Sequence, residues 1–193
     1  MNKRKQKQLL SMAAFGAMLT TAALGQHLGW WVAAKQAVIQ TQPGLYTIDH
    51  FVDGDTIAVK MNGKVESVRM IGIDTPETHK PNSPVQCYGQ AAASYVKNLI
   101  GSSQVRLGAD QKSTNRDRYD RLLRYVYLPN GRLVAAETIK NGYGFAYTSF
   151  PFTKSAEFEQ DQAAARAADK GLWGSCKPYQ QTNGRWQTEN ITP

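Results

Sequence analysis

Val52-Asp-Gly-Asp-Thr-Ile57, followed by Met61-Asn-Gly-Lys64 and then by Val68-Arg-Met-Ile-Gly-Ile-Asp-Thr-Pro-Glu-Thr78, is the stretch whose reading decides the fold. Asn62-Gly63 is the strongest short hairpin signal, because these two residues accept the positive φ angles that a tight turn between twisted strands demands. The flanking apolar residues recur at strand spacing, so strands are expected over about Asp55–Met61 and Lys64–Ile73. Asp55 then opens the outgoing strand and Asp74 closes the returning one. A separation of 19 residues becomes a short distance in space. Asp53, Asp55, Asp74 and Glu77 gather at the two ends, Arg69 lies between them, and Glu66 sits nearer the turn. Carboxylates held that close repel unless a cation lies between them. The ribbon holds no Cys or His, although His50 and His79 flank it, so its hard oxygen donors suit Ca²⁺ or Mg²⁺ better than zinc.

Working outward, 193 residues suffice for one well-buried domain and a short extra segment, and 41% hydrophobic content argues against wholesale disorder. The formal charge of +8 is unevenly placed. Lys3, Arg4, Lys5, Lys7 and Lys35 lie within the first 37 residues, which contain no Asp or Glu, so the remainder carries only +3. A basic start followed by an apolar middle is the layout of an export signal, and Val32-Ala33-Ala34 is an acceptable cleavage site. The same 26 residues, Leu9–Ala34, are long enough for an uncleaved anchor with Trp30 and Trp31 at the interface. Either way the domain is expected outside the cytoplasm, with membrane contact through this segment if it is retained. A buried soluble helix is the plainer alternative. Residues 1–37 are thus read as signal peptide or anchor and 38–44 as a linker. The domain is placed at 45–176, with 177–193 as a polar mobile tail.

After the ribbon, an Ala-rich helix is expected over Tyr88–Ile100, with Ala91, Tyr95, Leu99 and Ile100 inward. Short strands are expected at Gln104–Leu107 and Leu122–Leu128, and helices at Leu133–Lys140 and Ser155–Lys170. The last helix is expected to turn Phe158, Ala163, Ala164 and Ala167 inward. Early contiguous strands and about three later helices suggest a small Greek-key barrel with packed helices, in the α+β class. Cys87 and Cys176 are the only cysteines. Pairing is expected for an exported chain, tying the C-terminal segment to the body; two buried free thiols are the alternative.

Phosphodiester hydrolysis needs an activated water and groups that stabilise extra negative charge. Asp55 and Asp74 can hold one cation, and Glu77, beyond the rigid Pro76, is free to act on water. Arg69 and Arg121 offer planar donor pairs that match phosphate oxygens. Taken singly, the acids read as turn residues and Arg116, Arg118, Arg121 and Arg124 as a solvated loop. Their conjunction on one hairpin points to a site.

Val-Asp-Gly-Asp-Thr at Val52–Thr56, Arg-Met-Ile-Gly-Ile-Asp-Thr-Pro-Glu-Thr at Arg69–Thr78, Cys-Tyr-Gly at Cys87–Gly89 and Asp-Arg-Tyr-Asp-Arg-Leu-Leu at Asp117–Leu123 resemble the staphylococcal nuclease (thermonuclease) family. Gly-Leu-Trp at Gly171–Trp173 resembles the family's usual end. The likeness covers about Leu45–Cys176. It implies a five-stranded OB-type Greek-key barrel with three helices, here preceded by the apolar N-terminal helix, and a monomer. It further implies a Ca²⁺-dependent endonuclease acting on DNA and RNA, single-stranded or unpaired regions favoured, that leaves 3′-phosphate ends. By this resemblance Asp55 and Asp74 would ligate Ca²⁺ with the Thr75 backbone carbonyl, and Asp53 would stand nearby through water. Glu77 would be the general base, and Arg69 and Arg121 would bind the scissile phosphate. Arg118 and Tyr119 would contact a terminal phosphate, and Tyr147 would stand beside the base pocket. Asp120 departs from the glycine of some relatives, and the cysteines are absent from the secreted archetype. The rival expectations are a non-catalytic nucleic-acid-binding module and a membrane-tethered nuclease for DNA uptake or transfer.

Overall fold

The computed structural model describes residues 44–78 and 84–191. The expected leader and most of the linker lie outside the described residues. Among the described residues no helix is long and apolar enough to cross a membrane.

Chain order begins with β1 (Thr47–Phe51), β2 (Thr56–Met61), β3 (Lys64–Met70) and β4 (Ile73–Asp74). Asn62 and Gly63 take φ of 51° and 76°, the double left-handed turn read from the sequence, and β2 pairs with β3 from Thr56↔Arg69 to Met61↔Lys64. β2 lies between β1 and β3 in the sheet and buries every residue except Lys60. A helix α1 (Gly89–Ile100) follows, then β5 (Arg106–Gly108), β6 (Leu122–Tyr127), α2 (Val134–Lys140) and β7 (Phe145–Ala146). The chain closes with α3 (Ser155–Ala167), the one-turn α4 (Leu172–Ser175), β8 (Tyr179–Gln180) and β9 (Trp186–Gln187).

The main sheet runs β1-β2-β3-β6-β5, antiparallel except for the parallel β3–β6 pair. Its edges meet where Tyr46 and Val105 exchange two backbone hydrogen bonds of 2.8 and 2.9 Å. The sheet is therefore curled back on itself, an OB-like α+β arrangement. Ile57, Val68, Val126, Ile139 and Phe158 are fully buried within a single apolar cluster. β4 and β7 form a separate short ribbon, pairing Asp74 with Phe145.

Two helices are rotated from the expected faces. In α1 the buried residues are Ala92, Val96 and Ile100, with Gly89 at the start, while Ala91, Tyr95 and Leu99 are half-buried. In α3 only Phe158 and Ala165 are buried; Ala163, Ala164 and Ala167 face solvent. The α3 stripe includes Asp161 and Gln162 because both find partners. Gln162 accepts the Ala146 amide at 2.9 Å, and Asp161 lies 3.7 Å from Lys140 Nζ. Small alanines fit either side of a helix, so paired polar groups settled the rotation.

The expected mobile tail is instead structured. Beyond the Cys87–Cys176 disulfide, with Cα atoms 6.0 Å apart, β8 and β9 form a second Asn-Gly hairpin. It is tied down by Cys87 N–H donating to the Glu189 carbonyl, by Thr188 Oγ1 donating to the Cys87 carbonyl and by Ile191 N–H donating to Val85, each at 2.8 Å. Trp186 packs against Trp173 with ring centres 5.2 Å apart. Polar composition concealed a segment anchored by one half-buried tryptophan, Trp186, and by backbone hydrogen bonds, while Tyr179 and Ile191 stay exposed.

Asp110 anchors the long loop after β5. Its carboxylate accepts from Tyr125 Oη at 2.7 Å, Thr153 N at 2.8 Å and Lys112 N at 2.7 Å. Burial alone would raise its pKa, but these donors outweigh it and hold the carboxyl below its ordinary 3.8. A depressed folded pKa means the stabilisation is present above the unfolded value and lost as pH falls through the folded one. We expect Asp110→Asn to cost about 1–3 kcal/mol at pH 7, with the gap to wild type shrinking below about pH 4. Urea unfolding from pH 3 to pH 7 checks it; a pH-independent gap would show that the charge contributes nothing.

Candidate active site

The site is built where the start of β2, the end of β3 and β4 converge. Asp53 Oδ1 accepts the Asp55 amide at 3.0 Å, closing a turn that aims Asp55 inward. Gly54 permits a close approach here, since a Cβ on it would lie 2.8 Å from Thr75 Oγ1. Asp53 therefore has the turn-forming role, and Asp55 the buried one at 6% exposure. Asp55 Oδ1 accepts the Thr56 hydroxyl at 2.9 Å, while Oδ2 accepts the Thr75 amide at 3.1 Å.

Arg69 stands opposite Thr56 in the β2–β3 register, so its guanidinium enters the same space. Nη1 lies 2.7 Å from Asp55 Oδ2 and donates to the Ile73 carbonyl at 2.8 Å. Nη2 lies 3.0 Å from Asp74 Oδ1. Asp55 and Asp74, distant in sequence, thus both reach the Arg69 guanidinium. Burial pushes the Asp55 carboxyl up to about 6, with Arg69 pulling against it. Burial likewise raises Asp74, reinforced by Asp55 and opposed by Arg69 and Arg185. Burial also disfavours the charge on Arg69, but Asp55 and Asp74 prevail and hold its pKa above the usual value.

Glu77 lines a polar groove with Asp74, Thr75 and Pro76. Its backbone is fixed from both sides: its N–H donates to Gln86 Oε1 at 2.9 Å, and its carbonyl accepts the Gln86 amide at 3.0 Å. α1 begins against it, and a Cβ on Gly89 would fall 2.6 Å from the Glu77 carbonyl oxygen.

The parallel pairing Val68↔Leu122 carries Arg121 to the same end of the sheet. Its Nε and Nη2 each lie 2.7 Å from Asp117 Oδ2, and Nη1 reaches to 3.5 Å from Thr56 Oγ1, the hydroxyl that donates to Asp55. Arg118 donates to Tyr119 Oη at 2.7 Å and lies over that exposed ring. The other two arginines of the cluster are structural. Arg116 pairs with Glu66 at 2.9 Å, and Arg124 is buried and donates to Asn115 Oδ1 at 2.7 Å. Asp120 takes φ 64°, a conformation that glycine adopts freely and Asp tolerates. Tyr147 is held by its amide on the Gly72 carbonyl at 2.8 Å, and its ring lies 4.9 Å from the Arg185 guanidinium.

Arg185 is the residue that sequence reading missed. Its Nη2 donates to Asp74 Oδ2 at 2.8 Å, so Asp74 is held by two arginines. The available signal was Asn183-Gly184, the dipeptide that marks the first hairpin, with Tyr179 and Trp186 on either side.

The curled OB-like sheet thus carries two carboxylates paired on one arginine, with more arginines at the rim. The family model described as "Staphylococcal nuclease homologue" matches residues 67–175. The chain is 44% identical over 129 residues to the SPbeta prophage-derived endonuclease YokF of Bacillus subtilis, covering 66% of this chain and 43% of that protein. It is 43% identical over 129 residues to endonuclease YncB of the same organism, covering 66% of this chain and 60% of the relative. It is 41% identical over 132 residues to the thermonuclease of Staphylococcus hyicus, covering 67% of this chain and 76% of that enzyme. The chain belongs to the staphylococcal nuclease family. It spans 43% and 60% of the length of the two Bacillus relatives.

The two arginines should separate in stability. Arg69→Met leaves the buried Asp55 without its ion-pair partner, while Asp74 keeps Arg185, and should cost about 3–5 kcal/mol. Arg121→Met removes a partly exposed pair and should cost less than about 1 kcal/mol. Urea midpoints in metal-free buffer measure both; equal losses would show that Arg69 does not hold the acids together.

Proposed function

We propose that this chain is a sugar-nonspecific endonuclease that hydrolyses DNA and RNA phosphodiesters with Ca²⁺, preferring unpaired strands and leaving 3′-phosphate ends. The observation that carries the reading is the convergence of Asp55 and Asp74 on Arg69, with Arg121 reaching the same cluster through Thr56. The named activities of the relatives support it.

The donor set fits a hard cation. Two carboxylates approach one point, and the positive charge now between them is a guanidinium. Asp55 and Asp74 would hold Ca²⁺ together with the Thr75 carbonyl. When bound, the ion neutralises phosphate oxygens and lowers the pKa of a nearby water. Glu77 takes the proton from the attacking water. Arg69 and Arg121 present donor pairs to the phosphate oxygens as negative charge grows on them. The P–O5′ bond breaks, leaving a 3′-phosphate and a 5′-hydroxyl. Arg118 and Tyr119 offer a cation and an exposed ring to the neighbouring phosphate and base.

The reading also places the domain outside the cytoplasm, exported or anchored through its N-terminal segment. The Cys87–Cys176 disulfide supports an oxidising compartment, as does the basic-then-apolar start.

Digestion of single-stranded DNA by the purified protein should cease in EGTA and return with Ca²⁺; activity indifferent to the chelator would remove the metal role. Glu77→Gln should lower turnover by about 10²–10⁴-fold while binding persists, and a loss of only a few-fold would remove Glu77 as base. Arg69→Lys and Arg121→Lys should each be severely impaired, because an ammonium cannot offer two parallel donors. Near-normal rates in both would remove the two-donor role assigned to these arginines.

A further inference from the structure

We propose that Arg185, delivered by the C-terminal β8–β9 hairpin, is a substrate-binding residue that takes a backbone phosphate of the nucleic acid strand beside the bond being cut. The inference rests on the nuclease reading above and deepens it. The family match ends at residue 175, so this arginine comes from outside the matched region.

The hairpin is a fixed wall rather than a loose end. The disulfide, the Cys87–Glu189 and Val85–Ile191 backbone bonds and the packing of Trp186 on Trp173 root it on the body. Its turn is closed by Gln181 N–H on the Arg185 carbonyl at 2.8 Å. From that base Arg185 lines the same groove as Asp74, Thr75 and Glu77, together with Gln181 and Trp186.

The side chain is placed as a ligand-facing arginine. It is 40% exposed, so a solvent-borne phosphate can reach it. It is oriented by the Tyr147 ring on one side and by Asp74 Oδ2 on another. Its Nε is buried and donates to no acceptor among the described residues. That atom is out of reach of a solvent-borne ligand, so a phosphate in the groove would meet the exposed part of the guanidinium, as a charge-assisted contact beside the Asp74 pair. Arg69 is shared by Asp55 and Asp74, so Arg185 adds a second positive charge at Asp74 while also facing the groove. A groove flanked by Asp74 and Glu77 would repel a phosphodiester strand, and Arg185 supplies a countercharge on that wall. The Tyr147 ring beneath it is covered on that face by the guanidinium and steadies it.

The test uses the full chain in a Glu77→Gln background, which permits binding without cleavage. A labelled single-stranded oligonucleotide is titrated in Ca²⁺ over a series of salt concentrations, with thermal melts to verify folding. Arg185→Met should weaken binding about tenfold, the worth of one charge-assisted hydrogen bond. It should also lower the slope of log affinity against log salt by about 0.7. Arg185→Lys should keep the slope while losing part of the affinity. In the cleaving enzyme, Arg185→Met should raise KM by a larger factor than it lowers kcat. Unchanged affinity and slope for Arg185→Met would overturn the proposal. So would tighter Ca²⁺ binding with unaltered oligonucleotide affinity, which would make Arg185 a shield on Asp74. Absence of oligonucleotide binding by the Glu77→Gln parent would instead sink the nuclease reading itself.

Discussion

One guanidinium holds the site together. Arg69 lies buried between Asp55 and Asp74 and also bonds the Ile73 carbonyl. Two carboxylates pressed into a low-dielectric corner cost several kcal/mol unless a positive charge accompanies them. Arg69 supplies that charge, and in doing so it fixes the ends of β2, β3 and β4 against one another. A single residue is thus structural partner to the acids and candidate ligand for the phosphate. Burial outweighs the pull of Arg69 and holds the Asp55 carboxyl up at about 6.

Around that corner the fold divides its labour. The curled sheet sets the acids and Arg69 through antiparallel register, and the one parallel pairing brings Arg121 alongside. α1 packs its first turn on the Glu77 backbone, so the candidate base is fixed by a helix start. The arginine cluster between Arg116 and Arg124 is split by burial. Arg116 and Arg124 tie the loop to the sheet, which leaves Arg118 and Arg121 presented at the rim.

The C-terminal hairpin adds a wall to the site. It stands on the disulfide and on an aromatic group of Phe145, Trp173 and Trp186, and it reaches Asp74 through Arg185. The β4–β7 ribbon links the two parts, since it pairs Asp74 with Phe145. Packing at the hairpin base and charge in the groove are thereby mechanically connected.

The sequence by itself determined the hairpin and its acidic ends, because turn chemistry and two-residue alternation are local properties of a chain. It also carried the resemblance that named the family and the residues Asp55, Arg69, Asp74, Glu77 and Arg121. Tertiary structure alone decided the rotation of α1 and α3, because alanine is nearly indifferent to burial and the inward face went to side chains with partners such as Gln162. It alone separated structural from presented arginines, since Arg116 and Arg118 are chemically identical until a neighbour claims one of them. It alone brought Arg185 to Asp74, 111 residues away, because that contact depends on a bridge and an aromatic anchor that no local pattern encodes.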